Sequence, residues 1–264
     1  MAHNIVSLVR HLQDIDDLNY KMDAPIALGQ EERINSIEEK VMDIVNSNLS
    51  KNISIISSSK LRAMDTARII GDFFNSDEYR ISIYSEPSLR ELDQGEFILP
   101  ESYKPGDYFE ILPRAWDIFF DETFKYQQPY RFGQPHSVDH LRRYSDIETY
   151  FLEYGETGQE LHSRYFNFLD RFVQESIYSE NTSYIFVMHS AGIAILKEIE
   201  SISAKLSNGL IVNPENFMIE CWKDYKENPS EKKYDGFEIV EKLNPESLYK
   251  EDMKKLLGFF HEKK

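Results

Sequence analysis

The chain of 264 residues holds a single cysteine, Cys221, so no internal disulfide can form and a scaffold stapled by cross-links is excluded. Ile219 and Trp222 flank that thiol, which predicts burial on a strand, and the cysteine usage fits a reducing, cytoplasmic setting. Long apolar runs are missing too. No basic start leads into an apolar segment of spanning length, so neither a signal peptide nor a membrane span is expected. The first apolar run begins near Asn4, so no cleaved leader is expected. Positive charge is scarce: 30 Lys and Arg face 46 Asp and Glu, a formal net charge of −16. A nucleic-acid surface normally shows a basic stripe, so no nucleic-acid partner is expected. His136, His140 and His162 show no metal-ligand spacing, and no metal or other cofactor is expected. Internal repeats and low-complexity tracts are absent.

What is present is a core-forming chain, 41% hydrophobic, with an α/β rhythm. The apolar run Asn4–Arg10 predicts a buried strand, and a polar loop follows it. From Gln30 onward Ile34, Ile37, Val41, Ile44, Val45 and Leu49 recur every three or four residues, as one buried helical face requires. Strand Ile53–Ser57 comes next, then a helix over Leu61–Phe74 carrying Leu61, Ala67, Ile70 and Phe74, then strand Arg80–Tyr84. That order predicts parallel strands joined by right-handed crossovers. From Phe97 to Glu156 the rhythm stops in a stretch rich in aromatics and prolines, read as a mostly helical insertion over the loop end of the sheet. It resumes with a helix over Gly158–Ile177, strand Ser183–Met188 and a helix over Ala191–Ile202. Weaker strands are expected near Phe217–Trp222 and Gly236–Val240, with a closing helix near Pro245–His261. The expected fold is one domain over 1–264: a three-layer α/β/α sandwich with a mostly parallel central sheet and the insertion 97–156 within it.

Chemistry concentrates at the strand ends. His11 closes the run Ile5-Val-Ser-Leu-Val-Arg10-His11, and His189 closes Tyr184-Ile-Phe-Val-Met-His189. Ligands of open α/β sheets sit outside the carboxyl ends of the strands, where both imidazoles would project. Arg10 stands beside the first histidine, and Arg62 follows the run Ile53–Ser59. Two imidazoles and two guanidiniums at one sheet edge suit a doubly charged anion, with phosphate the leading candidate. In so acidic a chain this positive pocket must be a local arrangement against the global field.

Five segments in order carry a resemblance. They are Leu8-Val-Arg-His-Leu-Gln13, Ser58-Ser-Lys-Leu-Arg62-Ala63-Met-Asp-Thr66-Ala67, Leu89-Arg-Glu91-Leu-Asp-Gln-Gly95, Gly158-Gln-Glu-Leu-His-Ser-Arg164 and Val187-Met-His189-Ser-Ala-Gly192. Together they span about residues 5 to 200, and the chain resembles the histidine phosphatase (phosphoglycerate mutase-like) superfamily. The resemblance implies that His11 is the nucleophile and passes through a phosphohistidine. A neutral imidazole is a competent nucleophile near neutral pH. Arg10 and Arg62 would clamp the phosphoryl oxygens, and His189 would donate to another. Glu91 looks like the proton donor to the leaving oxygen and the later base for water; Asp93 and Glu96 are neighbouring acids in the same loop. Ser190 begins the following helix, whose free backbone N–H groups could face the phosphate. Arg164 is expected in a structural ion pair.

The pattern departs from the family in places. Leu12 stands where the family has glycine, so it either takes an ordinary conformation or narrows the pocket. Asp17 stands where many members carry an asparagine that contacts phosphate, with Asn19 a substitute if the loop shifts. Ala27 replaces a common threonine. Three readings follow. One is a metal-independent phosphatase acting on a small-molecule or protein phosphomonoester. Another is a phosphoglycerate mutase-type transferase, although mutases carry Glu-Arg-His-Tyr-Gly where this chain has Glu91-Leu-Asp-Gln-Gly95. The last is a degenerate member that only binds phosphorylated ligands or a protein partner. The aromatic insertion also offers a surface for self-association into a homo-oligomer.

Overall fold

A computed structural model of the chain describes residues 5–12, 26–48, 50–97, 114–115, 118–119, 122, 131–135, 151–176, 182–189, 191–193, 195–197, 199–200 and 240–243. The elements are strand β1 (Ile5–Arg10), helix α1 (Glu31–Ser47), β2 (Asn52–Ser57), α2 (Leu61–Phe73) and β3 (Arg80–Ser85). A 3-10 turn at Pro87–Leu89 leads to β4 (Gly95–Phe97); β5 (Phe151–Tyr154), helix α3 (Gly158–Ser176), β6 (Thr182–Met188) and β7 (Val240–Leu243) follow. The described residues of 191–200 are helical as well.

Five strands form one sheet in the order β3-β2-β6-β1-β7. β1, β2, β3 and β6 run parallel, and β7 pairs antiparallel with β1 on the far side. β6 enters between β1 and β2, so the carboxyl ends of β2, β6 and β1 lie side by side. Alternation along β6 sorts its two faces. Ile185 and Val187 join Val9, Ile55, Val41 and Ile70 in one apolar cluster under α1 and α2. Tyr184 and Phe186 point the other way, where the rings of Phe168 and Phe172 on α3 lie 4.8–5.1 Å from them. Helices therefore cover both faces, and the fold is a three-layer α/β/α sandwich with a mostly parallel sheet. Each fully buried branched or aromatic side chain contributes about 1.5–3 kcal/mol by leaving water.

Some sequence expectations shift. Leu61 is 47% exposed at the start of α2, while Ala67, Ile70 and Phe74 are buried as expected. α1 ends at Ser47, so the apolar repeat runs past the helix to Leu49, which lies outside the described residues. The expected strand near Gly236–Val240 is described only from Val240 to Leu243. The insertion 97–156 lies largely outside the described residues; β5, near its close, pairs antiparallel with β4, which ends where the insertion begins. Gly95 makes that pairing possible: at φ +77°, a Cβ there would overlap the Glu153 carbonyl. The strand near Phe217–Trp222, Cys221 and the closing helix lie outside the described residues. Among the described residues no helix is long and apolar enough to cross a membrane.

Candidate active site

The sheet ladder continues past the strand ends and delivers the histidines in register. The His11 N–H donates to the Met188 carbonyl at 3.0 Å, and the Ser58 N–H donates to the Val187 carbonyl at 2.8 Å. His11, His189 and the start of α2 are thereby fixed by backbone on three neighbouring strands. The two imidazole centroids stand 4.9 Å apart.

His11 is locked in one tautomer. Its Nδ1 lies 2.6 Å from the Leu12 carbonyl, which can only accept, so Nδ1 carries the hydrogen and Nε2 keeps its lone pair. The Nε of Arg62 donates to that Nε2 at 3.1 Å. Burial, then His189 and Arg62, hold the His11 imidazole well below its ordinary 6.5, against the opposing pull of Glu91 and the Leu12 carbonyl. The ring is thus neutral near pH 7, with its lone pair on the nitrogen facing the guanidinium.

Arg62 is the centre of the cluster. It is 7% exposed, and its Nη2 donates to Glu91 Oε2 at 2.6 Å and lies 3.4 Å from His189 Nδ1. The same Glu91 oxygen is 3.4 Å from His189 Nδ1. His189 is fully buried, and its Nε2 sits 2.9 Å from the Ser58 hydroxyl. Burial first, then Arg62, Lys60, Arg164 and Arg10, push its pKa well below 6.5. Because Ser58 can donate or accept, either neutral tautomer of His189 is satisfied. Arg10 closes β1 opposite Met188 and is partly buried, close enough for its charge to bear on His189.

Four of the expected residues, His11, Arg62, Glu91 and His189, therefore form one connected group, and Arg10 stands beside it at the end of β1. Ser190 lies outside the described residues, as do Asp17 and Asn19. Leu12 packs in the core cluster at 2% exposure, so the missing glycine is absorbed as buried apolar volume. Among the described residues no group of three or more His, Cys, Asp or Glu side chains is arranged to hold a metal ion.

Two roles went unread in the sequence. Thr66 Oγ1 accepts the Leu12 N–H at 2.9 Å and donates to the Arg62 carbonyl at 2.7 Å, tying the turn after His11 to the helix that bears Arg62. Ser58 holds the rear of His189. Both lie inside the Ser58–Ala67 segment, where Arg62 alone received a role; the signal was the hydroxyl placed one helical turn after the arginine.

No family model matches the chain, and no curated protein matches it. Similar solved structures include phosphoglycerate mutase from Bacillus anthracis str. Sterne, 19% identical, covering 76% of this chain and 82% of that one at a TM-score of 0.47. A mycobacterial glucosyl-3-phosphoglycerate phosphatase is 16% identical over 81% of this chain and 84% of its own, TM-score 0.46. YhfR of Bacillus stearothermophilus is 18% identical over 75% and 80%, TM-score 0.46. The cluster around Arg62 offers a neutral nucleophilic nitrogen, guanidinium donors for an anion and a partly exposed carboxyl group. Glu91 is reached by solvent, with 30% of its side chain exposed, whereas His189 is fully buried.

Proposed function

We propose that this chain is a metal-independent phosphomonoester hydrolase that works through a phosphohistidine on His11. The observation that carries the reading is the His11 geometry: Nδ1 committed to the Leu12 carbonyl, Nε2 bare of hydrogen and facing Arg62. His11 Nε2 attacks phosphorus while the bond to the ester oxygen breaks, and Glu91 gives its proton to that leaving oxygen. Glu91 then takes a proton from water as the water oxygen attacks phosphorus, the N–P bond breaks and inorganic phosphate leaves. Arg62, Arg10 and His189 stabilise the charge on the transferring group throughout, which is the main demand of phosphoryl transfer. Ser190 is assigned to the same phosphate, as the residue that follows His189 in the sequence. The substrate is a small-molecule or protein phosphomonoester, and the reducing cytoplasm suits the cysteine usage.

A mutase is the weaker reading. At the positions where mutases carry Arg and His after the glutamate, Leu92 is 1% exposed in the core and Asp93 is an exposed acid. Neither can bind a substrate carboxylate. A binding-only role is weakened as well, because the burial of Leu12 leaves the nucleophile in place. The test is incubation of wild-type and His11→Ala protein with a generic phosphomonoester. Wild type is expected to give an acid-labile phosphoprotein and free phosphate, and His11→Ala neither. Turnover that persists in His11→Ala discards the nucleophile; labelling without release favours a transferase.

A further inference from the structure

Glu91 occupies an extended segment without regular secondary structure, between the 3-10 turn and β4. No ladder or helix holds it, yet a proton donor must be placed to within a fraction of an ångström. Arg164, on α3, supplies the missing constraint. Its Nη1 donates to the carbonyls of Ser88 at 2.7 Å and Arg90 at 2.8 Å, and its Nη2 reaches the carbonyl of Glu91 itself at 3.2 Å. The other edge of the guanidinium is a two-pronged pair with Glu156, Nε to Oε1 at 3.0 Å and Nη2 to Oε2 at 2.8 Å. Glu156 in turn grips the far side of the segment. Its carboxylate accepts the Asp93 N–H at 3.3 Å, and its own N–H donates to the Asp93 carbonyl at 2.7 Å. Tyr165 adds a hydroxyl bond to the Arg90 carbonyl at 3.0 Å.

The backbone is thus tied on both sides of Glu91 and at Glu91 itself, with every tie leading to Arg164, its ion-pair partner or the residue next to it. Burying an ion pair costs desolvation that apolar residues of the same volume would avoid, so stability alone is a weak reason for one here. The fork geometry matches backbone carbonyls that a lysine could not all reach. We infer that Arg164, held by Glu156, is the positioning residue for Glu91 and sets the delivery of its proton to the leaving oxygen. This inference rests on the phosphatase reading above.

Leaving-group dependence separates positioning from mere folding. An activated aryl phosphate departs without a proton donor, whereas an alkyl phosphate needs one. For Arg164→Gln, kcat/KM toward an alkyl ester such as glycerol phosphate is expected to fall on the order of 100-fold, and toward p-nitrophenyl phosphate by less than about threefold. Glu91→Gln should show the same asymmetry. Arg164→Lys keeps a charge beside Glu156 but loses the fork, and it provides the same pair of rate constants if Arg164→Gln does not fold. Equal losses on both esters in a folded variant, or an alkyl-ester loss in Glu91→Gln that neither Arg164 variant shares, would overturn the inference while the phosphatase reading stands. A wild-type protein that hydrolyses neither ester would overturn that reading itself.

Discussion

Replacing Arg62 with alanine removes one side chain that touches His11, Glu91 and His189 together, and its effect can be worked from those contacts. In the resting protein the loss is modest. Glu91 is 30% exposed on its side chain and rehydrates when its partner goes, so the folded state should lose about 1 kcal/mol. In the proposed reaction the guanidinium would face a phosphoryl group with growing charge inside a largely buried site. Removal of one such donor typically costs about 2.7–4 kcal/mol, or on the order of 100- to 1000-fold in rate. The two imidazoles also respond. Burial is the first cause of the low pKa of His11 and of His189, and Arg62 adds to it in both, so both should rise toward 6.5 in Arg62→Ala without reaching it. Phosphate release from a phosphomonoester gives the rate, and NMR titration of the imidazole nitrogens gives the pKa values. An Arg62→Ala protein that keeps wild-type kcat/KM would refute the central place given to this guanidinium.

Stability should fall on the acid side. His162 is fully buried with Nδ1 2.7 Å from the Gly158 carbonyl, and burial pulls its pKa from 6.5 to about 4. The unfolded chain therefore takes up the proton first. The contribution of the neutral ring is complete above 6.5 and lost as pH falls toward 4, about 3 kcal/mol in all. His11 and His189 act in the same direction. Urea unfolding at a series of pH values should show a steeper acid limb for wild type than for His162→Gln, and identical limbs would contradict the burial argument. In the helix after His189, Gly192 lies against Tyr165, and a Cβ there would overlap the phenol oxygen and come within 2.6 Å of the Met188 methyl carbon. Gly192→Ala is expected to destabilise by about 1–3 kcal/mol, read as a lower melting temperature; an unchanged melt would show that Tyr165 is free to move.

The sheet and the gathering of His11, Arg62 and His189 at its edge were legible in the sequence because each rests on a local signal. Apolar runs such as Ile53–Ser57 and Tyr184–Met188 mark strands buried on both faces, and the repeat through Ile37, Val41 and Val45 marks a helix buried on one. His11 and His189 could be assigned to one edge because parallel strands all end there. The short pair β4 and β5 escaped notice, since three or four residues amid prolines and aromatics show no period. Their pairing depends on the close approach of Gly95 and Gly155 to facing backbone, which is a long-range fact. Arg164 was read as a structural ion pair, and it has one with Glu156; its hold on the Glu91 segment crosses more than seventy residues of chain.

By itself, then, the order of residues determined which side chains could do chemistry and which strands would carry them, since strand burial and residue type are properties of short segments. Tertiary structure decided everything that needs two distant segments at hydrogen-bond range. It gave the bare nitrogen of His11 its neighbour in Arg62, turned Leu12 into the core, set Ser58 behind His189 and Thr66 beneath the turn, and pinned the loop that bears Glu91. Those outcomes depend on angles and distances of a few ångströms, which only the packed sheet and its two helical layers define.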